Sequence, residues 1–149
     1  MPDIIEKTIT VKAAIERVWQ ALTDYREFGA WFRVDLKEPF VLGQVTTGVT
    51  TYPGYEGWPF WARVVTMQKP SLFVLDWPWS PDAKPEVAEM PGQTTRVTFT
   101  LDPEGSSTRI HLTETGFGKI PEDKRAEKYR SNDGGWTTQM ENIRAHVEQ

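Results

Sequence analysis

The sequence predicts an α+β fold in which a curved antiparallel sheet packs one face against a long C-terminal helix. Three observations carry that expectation. An alternating strand near the N-terminus is followed at once by two short helices. The stretch from Pro39 to Phe117 is almost wholly β in pattern, and the last segment places Trp136, Met140, Ile143 and Val147 on one helical stripe. Strand, two short helices, about six more strands and a terminal helix give a sheet and a helix that each bury one apolar face against the other. A chain of 149 residues suits a single domain, 1–149.

Each element has its own signal. Ile5, Lys7, Ile9 and Val11 alternate with Glu6, Thr8 and Thr10, which reads as an edge strand. Ala13–Leu22 carries Ala14, Ile15, Val18 and Leu22 at helical spacing and stops at Thr23-Asp24. Asp24, with Glu27 three residues on, reads as the N-cap of a second short helix running through Phe32. The strands expected next are Phe40–Leu42, Gln44–Tyr52, Pro59–Met67, Leu72–Trp79, Thr94–Leu101 and Thr108–Phe117. Gly43, Pro53-Gly54, Lys69-Pro70-Ser71 and Asp102-Pro103-Glu104-Gly105 supply the turns. Ser80–Gly92, with Pro81, Pro85 and Pro91, reads as a long loop of the kind that is functional or mobile. Pro121–Arg130 is a short helix with proline at its start, Asn132-Asp133-Gly134-Gly135 breaks it, and the final helix begins at Trp136.

Composition then narrows the function. The chain has no cysteine, which excludes disulfides, thiolate metal sites and thiol nucleophiles. A net charge of −4 argues against nucleic acid or an anionic membrane as partner. No run approaches the roughly 20 apolar residues of a membrane span, and the N-terminus lacks a signal-peptide pattern, so a cytoplasmic location is expected. Of the two histidines, His111 falls on the strand face opposite Ile110 and Leu112, and His146 sits near a helix C-terminus, where the dipole favours a cation. Neither has metal-ligand spacing. No phosphate loop, dinucleotide fingerprint or nucleophile elbow is present, so no metal and no cofactor are expected. The unusual count is aromatic: seven Trp, seven Phe and four Tyr.

Several motifs, in order along nearly the whole chain, resemble one superfamily. They are Val18-Trp19-Gln20-Ala21-Leu22-Thr23 with Trp31-Phe32, Pro39-Phe40 with Gly43, Tyr52-Pro53-Gly54-Tyr55-Glu56, Leu72-Phe73 with Trp77, Thr113-Glu114-Thr115-Gly116-Phe117, and Asn132-Asp133-Gly134-Gly135-Trp136 with Met140-Glu141-Asn142-Ile143. Together they resemble the START-like helix-grip proteins (SRPBCC, Bet v 1-like). More narrowly, they are similar to bacterial relatives of the C-terminal domain of the Hsp90 ATPase activator. The resemblance implies about seven strands gripping the C-terminal helix, with a cavity between sheet and helix for an apolar or amphipathic molecule. That superfamily reuses one cavity for many tasks, so the motifs speak to fold more than to chemistry.

Strand parity nominates the cavity lining. Trp61, Arg63, Val65 and Met67 share one face, as do Phe73, Leu75, Trp77 and Trp79; Val97, Phe99 and Leu101 align, as do Ile110, Leu112 and Glu114. With Trp136 and Met140 from the last helix, the expected ligand contacts are Trp61, Arg63, Val65, Trp77, Trp79, Phe99, Glu114, Trp136 and Met140. The bland alternative is that these rings fill a core. Glu114 continues an apolar face, so an inward carboxylate needs a partner, for which Arg63 is the candidate; the alternative is a strand-end residue, exposed or bonded to the helix start near Trp136. Trp58-Pro59-Phe60-Trp61, with Tyr52 and Tyr55, reads either as the cavity mouth or as an exposed protein-binding patch.

The leading expectation is a non-enzymatic protein that binds a small hydrophobic or aromatic molecule, as monomer or homodimer. The resemblance also implies a second possibility, a chaperone partner of the Hsp90-activating kind, although the chain carries no counterpart of that co-chaperone's separate N-terminal domain. A third is a cofactor-independent cyclase- or hydrolase-like enzyme with Glu114 as base.

Overall fold

Alternation along Ile4–Val11 (β1) buries Ile5, Ile9 and Val11 and sends Glu6, Thr8 and Thr10 to solvent. This strand lies at one edge of a sheet whose order is β1, β7 (Ser107–Thr115), β6 (Thr94–Glu104), β5 (Leu72–Pro78), β4 (Pro59–Gln68), β3 (Val45–Thr50) and β2 (Val34–Leu36), every pair antiparallel. A computed structural model describes residues 3–80 and 93–149. The loop expected over Ser80–Gly92 lies, beyond Ser80, outside the described residues. Two helices follow β1, α1 (Ile15–Thr23) and α2 (Tyr25–Phe32), and then β2 to β7 in turn. A 3-10 turn, Phe117–Lys119, leads into α3, Glu122–Val147.

Asp24 separates α1 from α2 by doing two jobs. Its backbone N–H closes α1 on the Gln20 carbonyl, and its carboxylate accepts from the N–H groups of Arg26 and Glu27 at 2.9 and 3.2 Å, capping α2. The Trp31 indole N–H donates to the Ala21 carbonyl at 2.8 Å and ties the two helices together. Phe28, Phe40, Phe73 and Phe99 then form a continuous aromatic seam between these helices and the sheet.

Four expectations need correction. Phe40–Leu42 is not a strand: Phe40 is buried against Phe28 and Phe73, while Val41 and Leu42 are exposed, and the pairing strand is Val34–Leu36 instead. The hairpin after β6 is tighter than Asp102-Pro103-Glu104-Gly105 implies. Glu104 pairs Ser107, leaving a two-residue turn in which Gly105 takes φ 63°. In β4 a bulge lies between Val64 and Thr66, so the alternation reverses there: Ala62 and Val64 face the core before it and Met67 after it. Trp61 and Arg63 therefore point to the other face, opposite to the parity reading.

The last correction concerns the glycines. Asn132-Asp133-Gly134-Gly135 does not break the chain; α3 runs unbroken through it. Glycine costs a helix interior roughly 1 kcal/mol relative to alanine, and tertiary bonds on both sides of the pair outweigh that cost. The Tyr129 hydroxyl donates to the Ile4 carbonyl at 2.9 Å, Lys7 of β1 meets Asp133 at 3.0 Å, and the Gln139 amide donates to the Phe32 carbonyl at 2.7 Å. The stripe Trp136, Met140, Ile143 and Val147 is buried as its spacing predicts. Among the described residues no helix is long and apolar enough to cross a membrane.

Candidate functional site

The inward face of β7 carries Thr108, Ile110, Leu112 and Glu114, so the alternation that buries three hydrophobic or capped residues also buries a carboxylate. Glu114 has no exposed surface. Its oxygens accept from four side chains on three elements: Thr95 on β6 at 2.6 Å, Trp77 on β5 at 3.0 Å, Trp136 on α3 at 2.9 Å, and Asn132 on α3 at 3.0 and 3.2 Å. Both oxygens are thereby occupied. A buried carboxylate is tolerated when donors replace its water shell, and each such charge-assisted bond is stronger than a neutral one. Among the described residues, no buried side-chain nitrogen or oxygen lacks a partner.

This arrangement fixes two indoles. Trp77 and Trp136 stack with ring centroids 5.4 Å apart and planes 18° from parallel, both N–H groups directed at Glu114. Phe99 packs edge-on beneath Trp136 at 5.8 Å, and Phe32 leans on both indoles at 5.8 and 6.0 Å.

Above this pair lies an open cleft of about 460 Å³. Phe32, Trp77 and Trp136 form its apolar wall, and Tyr52, Tyr55 and Trp58 form its rim. The rim rings touch in sequence, Tyr52 to Tyr55 at 6.1 Å and Tyr55 to Trp58 at 5.2 Å, with Trp58 52 % exposed. Gly134 and Gly135 also line the cleft, and a Cβ added to either would meet nothing within 4 Å. A smaller lobe of about 230 Å³ adjoins it, sharing Phe32, Trp58, Pro59, Trp77 and Asn132 and adding Trp79 and Lys128.

Two cations border the cleft. Arg33 closes α2 in the left-handed region at φ 71°, its N–H donating to the Gly29 carbonyl, and lines the larger lobe. Lys128 is half-buried beside the smaller lobe. Burial pushes its ammonium below the ordinary lysine value, and attraction to Glu114 opposes this without cancelling it.

The structure thus brings together Trp77, Glu114 and Trp136, with Phe99 beneath them and Trp79 on the smaller lobe. Met140 is buried one turn further along α3, away from the cleft. Trp61, Arg63 and Val65 are elsewhere. Trp61 is buried outside the core cluster, Val65 sits in the β4 bulge, and Arg63 donates to the Gly43 carbonyl at 3.2 Å. Arg63 shares the outer face with Asp76, which forms a two-pronged pair with Arg96, so it is not the partner of Glu114. His111 lies on that outer face between Thr8 and Glu6, at 2.9 and 3.0 Å. Asn132, Thr95, Phe32 and Lys128 are not among the site residues expected from the sequence. A signal existed: Lys128, Asn132, Trp136 and Met140 recur every four residues, one helical face that an assumed break at Asn132 conceals.

The sequence model of the family described as activator of Hsp90 ATPase homolog 1-like protein matches residues 12–148. No curated protein matches the sequence. Solved structures share the fold. A protein from Arthrobacter aurescens superposes with TM-score 0.77 at 18% identity, over 97% of this chain and 86% of its own. The Aha1 dimer from Colwellia psychrerythraea gives 0.73 at 16%, over 97% and 96%. DynU16, from the dynemicin biosynthetic locus, gives 0.73 at 19%, over 100% of this chain and 48% of its own, so this chain spans about half of its length. At such identities the likeness shows the fold alone.

Proposed function

The chain belongs to the activator of Hsp90 ATPase homolog 1-like family, and from that premise we propose that it binds a small planar hydrophobic or aromatic molecule in the cleft bounded by Trp58, Trp77 and the α3 segment around Gly135. The observation that carries this reading is the stacked Trp77–Trp136 pair, held by Glu114 as one wall of an open cleft of about 460 Å³. That volume falls in the range of small-molecule sites, and π faces reward flat ligands with offset stacking. The two glycines that line the cleft support the reading, because they keep open a space that side chains would narrow.

Glu114 is read as the anchor of this wall rather than as a catalytic base. With both oxygens taken by four donors and no exposed surface, it offers no lone pair to a molecule in the cleft. The test is a titration with N-phenyl-1-naphthylamine, read by probe fluorescence. Saturable one-to-one binding that Trp58→Ala weakens is expected; no saturable binding overturns the reading.

A second reading, partner of an Hsp90-type chaperone, is favoured by the family match over residues 12–148. It requires that the purified chain bind a bacterial Hsp90 or change its ATPase rate, and it falls if neither happens.

A further inference from the structure

Lys128 differs from the ion-paired cations of this protein. Lys7, at 25 % side-chain exposure, pairs Asp133 at 3.0 Å; Arg17 pairs Glu27 at 2.6 Å; Arg96 pairs Asp76 at 2.8 Å. Lys128 is half-buried and lines the smaller lobe together with Phe32, Trp58 and Trp77, yet no carboxylate among the described residues lies within ion-pair distance of its amine. Glu114 attracts it from further off but is already committed to Trp77, Thr95, Asn132 and Trp136. A partly desolvated ammonium with free donors is costly on its own and becomes favourable when an anion supplies the missing acceptor.

We propose that the molecule bound in the cleft carries an anionic group, a carboxylate on a planar aromatic body, that pairs with Lys128 in the smaller lobe while the rings lie along Trp77 and Trp58. The inference rests on the ligand-binding reading above and adds a chemical class to it. The overall charge of −4 works against anions in general, so a preference for an anionic ligand must come from a local cation. Asn132, which lines both lobes, marks their junction and gives the ligand a route from the rim to the amine.

The test compares two probes of one shape, 2-naphthoate and the neutral 2-naphthamide, on the whole chain at about 0.1 M salt, where screening acts over ~10 Å. Naphthoate is expected to bind about tenfold tighter than the amide, as a charge-assisted bond implies. Lys128→Met, which keeps the apolar stem, erases that preference by weakening naphthoate far more than the amide; Lys128→Arg retains it. Equal binding of the two probes by the unaltered protein overturns this inference alone. So does a preference that survives Lys128→Met, including one that Arg33→Met removes, since the anion then sits in the other lobe. If naphthoate, naphthamide and N-phenyl-1-naphthylamine all fail to bind, the ligand-binding reading fails with it.

Discussion

The indole N–H groups of Trp77 and Trp136 end on the same carboxylate, Glu114, at 3.0 and 2.9 Å, while their rings stack 5.4 Å apart. One residue is on the sheet and the other on the gripped helix, so the carboxylate between them couples the two layers and sets the angle of the cleft wall. Stability and site geometry therefore share a single buried group.

Glu114→Gln places an amide N–H₂ among four donors, leaving at least one of them without an acceptor. We expect a loss of about 3 kcal/mol in denaturant unfolding, together with a weakened near-ultraviolet dichroism from the displaced indoles. A change within about 0.5 kcal/mol, the range of an ordinary surface substitution, contradicts the assigned role.

Gly135→Ala separates stability from function. The helix gains about 0.5–1 kcal/mol from the removal of glycine, because an added Cβ there meets nothing within 4 Å. That same Cβ enters the cleft, so the melting temperature rises while affinity for N-phenyl-1-naphthylamine falls. Gly134→Ala follows the same logic from the adjacent position. A stabilised variant with unchanged affinity places the ligand elsewhere.

The fold was legible from sequence to a degree that the site was not, and particular residues show why. Alternation in β1, β6 and β7 and the Asp24 cap are local patterns, written over a few residues and indifferent to what packs on them. The inward placement of Glu114 followed from the same alternation. Trp61 and Arg63 were misplaced because a bulge at Val65 leaves no mark in composition yet inverts every side chain across it. The glycine pair was read as a break because local propensity argues for one; the bonds from Tyr129, Lys7 and Gln139 that hold α3 together come from strands and helices distant in sequence. Losing the helix at Asn132 also hid the face that carries Lys128, Asn132 and Trp136.

Acid dependence has a specific contributor outside the site. Glu27 of α2 lies between Arg17 at 2.6 Å and His146 of α3 at 2.8 Å. Burial alone raises its carboxyl, but the hydrogen bonds from His146 and Arg17 outweigh this and hold it below the ordinary glutamate value. A carboxyl depressed in the folded state stabilises fully above its unfolded pKa, about 4.3, and loses that contribution as pH falls through the lower folded value. Glu27→Gln is expected to cost about 1 kcal/mol at neutral pH, with the gap to the parent protein closing below about pH 4. A gap that stays constant down the acid range rules this assignment out.

Where a planar molecule lodges is the central question, and the seven Trp provide a direct reading of it. Nitrogen–proton NMR of the labelled protein resolves their indole N–H groups during titration with N-phenyl-1-naphthylamine. Trp58, Trp77 and Trp136, which line the cleft, are predicted to shift in a saturable way, while Trp19 and Trp31 in the helix core and Trp61 on the outer sheet face stay in place. Shifts centred on Trp61, or none at Trp77 and Trp136 at saturation, contradict the account.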